Sequence, residues 1–146
     1  MRLSQYILKR NGVPLGHRSS LRNNLHRSLS AGTNTEFWRH WNPIWGYYLW
    51  KGVYVPAQRW VSKSISLLIS FAVSGALHDL AIGLATGNWQ VFFSIWFLFM
   101  GFFLLLSRKW DVTYSQFPFL IRMGINLVSL SGCFLAAGLL NRNIFT

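Results

Sequence analysis

Three apolar segments constrain the fold more than any other feature of this chain. They cover residues 65–85, 89–106 and 119–140, and each has the length that a bilayer crossing requires, the second only at the lower limit. An unpaired backbone amide is costly in lipid, so a segment of this kind crosses the membrane as a helix. The sequence therefore predicts an all-α polytopic membrane protein with about three transmembrane helices.

The composition favours the same class of protein. Hydrophobic residues make up 52% of the chain and charged residues 12%, about half the charged share of a soluble domain. A soluble domain of 146 residues could not bury this much apolar side chain, which includes 8 Trp and 12 Phe. The single cysteine, Cys133, excludes an intramolecular disulfide and a cysteine metal cluster.

Positive charge is concentrated before the first apolar segment. Ten of the fourteen Lys and Arg residues precede residue 65, and the net charge is +11. In a soluble protein this would suggest nucleic-acid binding, but in a membrane protein basic residues collect in cytoplasmic loops. We therefore expect residues 1–32 to form a basic cytoplasmic arm, residues 33–146 to form the membrane domain, and the 107–118 loop to be cytoplasmic. Binding of the arm to nucleic acid is the weakest alternative, and we expect no nucleic-acid partner.

The first twelve residues, MRLSQYILKRNG, do not resemble a secretory signal peptide. Their apolar core is only about three residues long, and no suitable cleavage site follows. We therefore expect membrane insertion to depend on the three later apolar segments.

An aromatic helix is predicted between the basic arm and the first apolar segment. The sequence TNTE at residues 33–36 has the form of a capping box, with Thr33 as the N-cap and Glu36 reaching back to it. A short helix through FWRHW would end before Pro43, which would open a second helix capped by Asn42. We expect the second helix to be interfacial or re-entrant and to end at Pro56. Its apolar stripe is Trp41, Ile44, Trp45, Tyr48 and Leu49.

His78 and Asp79 stand inside the first apolar segment, in LLISFAVSGALHDLAIGLA. A charged side chain at the bilayer centre costs about 2.5–3.5 kcal/mol on insertion scales, so the pair should face protein or water. Small residues such as Gly75 and Gly83 on the same faces would let another helix approach. Two interpretations stay open at this point. Either His78 is a functional base, or it hydrogen-bonds another helix while Asp79 pairs with a basic loop residue or lies near the interface.

Two motifs taken together resemble the membrane-bound O-acyltransferase family. The first is TEFWRHWNPIWGYYLWKGVYVP, which is similar to the family's short FWRxW-N/H helix and the aromatic stretch that follows it. The second is FAVSGALHDL, which is similar to the family's SGxxH-bearing span. Residues 33–80 match this order and spacing, and the two later spans agree with the family's C-terminal portion.

The resemblance implies transfer of an acyl group from a thioester donor, often acyl-CoA, to a hydroxyl of a lipid, sugar or polymer. By this analogy His78 would be the general base and Asn42 would orient a substrate near the thioester. Trp38, Arg39 and Trp41 match flanking motif positions and would bind substrate on the cytoplasmic side. The resemblance implies no metal and no cofactor other than the acyl thioester, and it carries no role for Asp79.

The chain resembles only part of a family member, because members usually have roughly eight or more spans around a central tunnel. Three helices cannot enclose such a tunnel, so another membrane subunit could be the partner that supplies the rest. Two alternatives therefore stay open. The chain could be a truncated, non-catalytic membrane subunit, or a small proton-coupled transporter or channel component that uses His78 and Asp79.

Overall fold

The computed structural model describes the backbone of residues 1–145 and the side chains of residues 1–142. All regular structure in this part of the chain is helical and none of it is strand, which confirms the all-α class. The α-helices are α1 (Leu3–Asn11), α2 (Ser20–Leu29), α3 (Asn34–His40), α4 (Pro43–Leu49), α5 (Val55–Ala57), α6 (Lys63–Thr86), α7 (Phe92–Lys109) and α8 (Phe119–Phe145), and a π-helical turn, Trp50–Tyr54, joins α4 to α5.

The chain divides into two compact units. The first unit contains Met1–Tyr48 and Ser107–Val128, and the second contains Leu49–Leu106 and residues 129–145. Within the first unit, α1, α2 and α3 pack on one another. Within the second unit, α6 packs against the π-helical turn and α5. Helices α7 and α8 contribute residues to both units.

The three predicted spans correspond to α6, α7 and the first part of α8, each long and apolar enough to cross a membrane. The second helix begins at Phe92, three residues later than the sequence suggested, because Gly87 ends α6 in the left-handed conformation with φ 73° and a short loop follows. Three strongly exposed tryptophans flank these helices: Trp60 before α6, Trp89 before α7 and Trp110 after α7. Tryptophan is enriched at both surfaces of a bilayer, so these positions suit membrane-spanning helices.

The first 32 residues carry two helices, α1 and α2. The start of α1 is held by a hydrogen bond from the Arg2 backbone N–H to Gln5 Oε1 at 3.2 Å, and α1 ends at Gly12 with φ 78°. The C-terminal carbonyl of Arg10 accepts from Arg27 Nη1 at 3.0 Å and from His40 Nδ1 at 2.8 Å. Side-chain N–H donors satisfy the free carbonyls at a helix C-terminus, so α2 and α3 both hold the end of α1.

The aromatic helix forms as predicted and ends at Ala57, one residue beyond the predicted end at Pro56. It runs from Pro43 through the π-helical turn to Ala57, and the Val55 N–H donates to the carbonyl of Trp50 five residues earlier. A proline inside an α-helix lacks the N–H and crowds the carbonyl four residues back. The wider π turn, with Gly52 at that carbonyl position, carries the helix past Pro56. The position of this helix at the membrane surface stays a prediction.

Candidate functional site

The imidazole of His78 is fixed by its own helix. Its Nδ1 lies 2.6 Å from the backbone carbonyl oxygen of Ser74, one turn earlier on α6. A carbonyl oxygen can only accept, so Nδ1 carries the proton and Nε2 is the basic nitrogen of the neutral ring. The sequence interpretation that His78 hydrogen-bonds a different helix does not describe this contact. A catalytic role for His78 stays a prediction.

Aromatic rings from α7 cover the imidazole of His78. The ring centroid of Phe97 lies 4.9 Å from that of His78, and the centroid of Phe93 lies 5.8 Å away. The same cluster continues to Trp96, whose ring meets Phe134 of α8 edge to face at 5.0 Å. The imidazole is half-buried among apolar rings, an environment of low dielectric in which a polar contact counts for more than it does in water.

A row of serines precedes His78 along α6. Ser66, Ser70 and Ser74 recur every four residues on the face that ends at His78, and all three are buried. The hydroxyl of Ser70 donates to the Ser66 carbonyl at 2.8 Å, and that of Ser66 donates to the Ser62 carbonyl at 3.0 Å. Serine hydroxyls bonded back to their own helix present a small surface that allows close packing. The four-residue serine period was the sequence signal for this face.

Asp79 holds the beginning of α7. Its Oδ1 accepts from the Phe93 backbone N–H at 2.8 Å, and its Oδ2 accepts from the Ser94 backbone N–H at 2.8 Å and from the Ser94 hydroxyl at 2.6 Å. The free amides of a first helical turn are a favourable site for a carboxylate. The sequence suggested pairing with a basic loop residue or a place near the interface. The structure shows that Asp79 caps a neighbouring helix, and its place near the interface stays a prediction.

Asn42 is the N-cap of α4, as predicted. Its Oδ1 accepts from the Trp45 backbone N–H at 3.2 Å, and its backbone has φ 38°, in the left-handed region. Asparagine is one of the few non-glycine residues that occupies this region readily, so the turn between α3 and α4 suits it. Asn42 belongs to the first unit and His78 to the second. A catalytic role for Asn42 stays a prediction.

The motif residues on α3 surround one buried phenylalanine. Phe37 is 1% exposed, and its ring meets Trp38 edge to face at 5.2 Å and stacks on Trp41 at 5.3 Å. Arg39 is exposed on the same helix. Trp38 and Trp41 therefore have a packing role around Phe37, and the substrate-binding role predicted for these two tryptophans and Arg39 stays a prediction.

The cap of α3 differs in one detail from the predicted box. The Thr33 hydroxyl accepts from the Glu36 N–H at 3.1 Å, as expected. The Glu36 carboxylate, however, accepts from the N–H of Gly32 at 3.2 Å rather than from that of Thr33. Gly32 also packs closely on Ser115, where an added Cβ would meet the Ser115 Cβ at 2.6 Å.

Sequence reasoning missed a buried polar network in the first unit. Asn126 of α8 is 3% exposed and donates from Nδ2 to the carbonyls of Leu29 and Ala31, both at 3.1 Å. Its Oδ1 accepts from the Tyr114 hydroxyl at 2.6 Å. Burial, and secondarily the negative charge of Glu36, raises the pKa of Tyr114 to about 12. The signal was an asparagine inside an apolar span, which has to meet protein partners because lipid offers none.

Metal binding has no structural candidate in the part of the chain that the structure describes. No group of three or more His, Cys, Asp or Glu side chains there is placed to hold a metal ion.

The arrangement around His78 offers proton-transfer chemistry through Nε2.

Known proteins similar to part of this chain are O-acyltransferases. "Probable sterol O-acyltransferase 2" of Schizosaccharomyces pombe (strain 972 / ATCC 24843) is 43% identical over 51 residues, which are 35% of this chain and 11% of that protein. "Diacylglycerol O-acyltransferase 1-1" of Oryza sativa subsp. japonica is 37% identical over 54 residues, which are 36% of this chain and 10% of that protein.

These matches are partial. The chain covers 11% and 10% of the length of the two relatives. No family model matches the chain, and no solved structure matches it. About a third of the chain is therefore similar to O-acyltransferases, and its three long apolar helices mark it as a membrane protein.

Proposed function

We propose that this chain is the histidine-bearing portion of a membrane-bound O-acyltransferase, which transfers an acyl group from a thioester such as acyl-CoA to a hydroxyl. The observation that carries the proposal is the bond from His78 Nδ1 to the Ser74 carbonyl, which makes Nε2 the basic nitrogen inside an apolar helix. The partial identity to sterol and diacylglycerol acyltransferases supports the reaction class. Of the possible acceptors, it favours a lipid alcohol over a sugar or polymer.

In the proposed reaction His78 accepts one proton and later returns it. Nε2 of His78 takes the proton of the acceptor hydroxyl as its oxygen attacks the thioester carbonyl carbon. The tetrahedral intermediate carries a negative oxygen, which requires a hydrogen-bond donor nearby. Collapse of the intermediate breaks the carbon–sulfur bond, and the imidazolium returns its proton to the thiolate. The products are an ester and a free thiol, and His78 is regenerated.

The remaining motif residues have proposed roles on the donor side. Asn42 orients donor or acceptor near the thioester, and Trp38, Arg39 and Trp41 bind substrate. The basic residues before α6 and in the 107–118 loop favour a cytoplasmic position for the N-terminal region. An anionic donor such as acyl-CoA would be attracted to the same side.

Further helices are required for a closed substrate tunnel. The chain covers 11% and 10% of the length of its two relatives and has three helices long enough to cross a membrane. We propose that another segment or membrane subunit supplies the remaining walls. Asp79 supports acyl transfer over a proton relay, because three hydrogen-bond donors already occupy its carboxylate.

The proposal is tested by acyl transfer in membranes from cells that produce the full chain. Labelled acyl-CoA is supplied with a sterol or a diacylglycerol, and ester formation is measured at equal protein levels. We expect His78→Ala to lower the rate by about 10²–10⁴-fold, the usual contribution of a general base. His17→Ala is the matched control, since His17 is exposed and lies in the loop before α2, and we expect it to leave the rate unchanged.

One result would contradict the catalytic role directly. If membranes with the wild-type chain form no more ester than membranes with His78→Ala or membranes without the chain, the chain does not catalyse the transfer. That outcome would favour the non-catalytic subunit described above.

A further inference from the structure

The beginning of α7 is attached to α6 at two points, both next to His78 in sequence. The Asp79 carboxylate accepts the backbone N–H groups of Phe93 and Ser94, each at 2.8 Å. One turn earlier on α6, Gly75 lies directly against the same backbone, where an added Cβ would be 2.6 Å from the Phe93 carbonyl oxygen and from the Ser94 Cα. The first turn of α7 is therefore held by a cap and by a close backbone contact.

The first two turns of α7 carry the rings that cover His78. Phe93 donates its backbone N–H to Asp79 and stacks its ring near the imidazole, with 28° between the two planes and 5.8 Å between the centroids. Phe97 follows one helical turn later and places its ring 4.9 Å from the imidazole. A displacement of this first turn would move both rings relative to His78. The contacts of Asp79 and the surroundings of His78 are thus mechanically connected.

The imidazole has two separate restraints in this arrangement. The Ser74 carbonyl fixes the Nδ1 edge at 2.6 Å, and the two phenylalanine rings restrain the ring face. The first restraint belongs to α6 alone, whereas the second depends on the position of α7. Loss of the second would leave the Nδ1 contact in place but would remove the packing of the two phenylalanine rings against the ring face.

We propose that Asp79 is a positioning residue for His78: its carboxylate fixes the first turn of α7 on α6, so that Phe93 and Phe97 hold the imidazole in its reactive orientation. The proposal rests on the proposed function, because the orientation matters for acyl transfer by His78. Asp79 itself does not transfer a proton. Its role is to accept three hydrogen bonds from α7, and any side chain that accepts them in the same place can perform it.

The experiment compares Asp79→Asn, Asp79→Ala and Ser94→Ala in the full chain. Asparagine has one acceptor oxygen, so it can serve either Phe93 or Ser94 but not both, because its amide nitrogen only donates. Asp79→Asn should therefore lose part of the rate, and Asp79→Ala, which accepts no hydrogen bond, should lose more. We expect Asp79→Ala to lower kcat by about 10²-fold with little change in KM, the scale of an ångström-level misplacement of a catalytic group. Ser94→Ala is the matched control. It removes only the hydroxyl contact at 2.6 Å and leaves both backbone bonds, so it should have little effect.

A second measurement does not depend on activity. The ¹⁵N and ¹H resonances of the His78 ring report its surroundings in the detergent-solubilised chain. We expect them to move in Asp79→Ala, to move less in Asp79→Asn and to stay in place in Ser94→Ala. His78→Ala identifies the resonances and, in the transfer assay, tests the proposed function separately.

The outcomes separate the two proposals. An Asp79→Ala variant with the wild-type rate would overturn the positioning role, because the reactive orientation of His78 would then not depend on the hydrogen bonds that the carboxylate accepts. Unchanged His78 resonances in Asp79→Ala would overturn it whatever the activity. If wild type and His78→Ala transfer acyl groups equally, the proposed function fails, and the resonances still decide whether Asp79 positions His78.

Discussion

Replacement of Asn126 by alanine should destabilise the first unit more than any single change at a surface position. The side chain is 3% exposed and joins α8 to the link between α2 and α3. Its amide donates to the carbonyls of Leu29 and Ala31 at 3.1 Å, and its oxygen accepts from the Tyr114 hydroxyl at 2.6 Å.

The expected cost follows from the three hydrogen bonds. Each contributes about 1 kcal/mol net, and a buried group left without a partner costs about 1–3 kcal/mol. The three partners are not all equally buried, so we expect Asn126→Ala to lower the free energy of unfolding by about 3–5 kcal/mol. Tyr114→Phe removes one of the three bonds and should cost about 1 kcal/mol.

The assay is reversible unfolding of the full chain in mixed micelles by titration with a denaturant. In a double-mutant cycle, Tyr114→Phe should cost about 1 kcal/mol less in the Asn126→Ala background, because residues in one network are not additive. Asn141→Ala is the matched control on the same helix, since Asn141 Oδ1 is buried with no hydrogen-bond partner in the described part of the chain. We expect it to cost much less than Asn126→Ala.

The reasoning would be refuted by a small effect with no coupling. If Asn126→Ala cost less than about 1 kcal/mol, the three bonds could not be holding α8 to the α2–α3 link. If the cycle gave additive values, Tyr114 and Asn126 would not interact in solution.

Three further predictions concern packing, pH and the cap of α4. Gly75→Ala should destabilise the chain by about 1–3 kcal/mol because its Cβ would overlap the backbone at Phe93, whereas Gly124→Ala, with open space around it, should be neutral or slightly stabilising; thermal unfolding checks both. The raised pKa of Tyr114 means that the folded chain binds its proton more tightly than the unfolded chain. Its stabilising contribution should be complete below pH 10 and lost as the pH rises towards 12, and an absorbance titration of wild type minus Tyr114→Phe should give a midpoint near 12. Asn42→Ala should cost about 1–2 kcal/mol, since it loses the cap and alanine occupies the left-handed region at φ 38° less readily than asparagine, and Asn42→Gly only a few tenths; a stable Asn42→Gly chain with full acyl transfer would contradict the catalytic role of Asn42.

The class of fold and the helices themselves could be read from the sequence, because they depend on local properties. Apolar length predicted the three long helices, and the proline and its preceding asparagine predicted the start of α4. Differences occurred where an element depends on a neighbour. The aromatic helix ended one residue past Pro56, after a π turn, and α7 began later than hydrophobicity alone suggested.

The sequence predicted only part of the candidate site. His78 and Asp79 are an ionisable pair in an apolar span, which indicates that they need polar partners, since lipid supplies none. The partners of Asp79 are Phe93 and Ser94, fourteen and fifteen residues later in the chain, and no local sequence pattern encodes that pairing.

The sequence by itself determined that this chain is a helical membrane protein, where its long helices lie, and which histidine has to be accounted for. These follow from hydrophobic length, capping residues and the cost of polarity in lipid, all of which act over a few residues. Only the tertiary structure decided that Asp79 caps α7 and that Asn126 joins α8 to the α2–α3 link. Hydrogen bonds between distant segments depend on how the helices pack. That packing is set by close contacts such as Gly75 against the start of α7, which the order of residues along one helix does not specify.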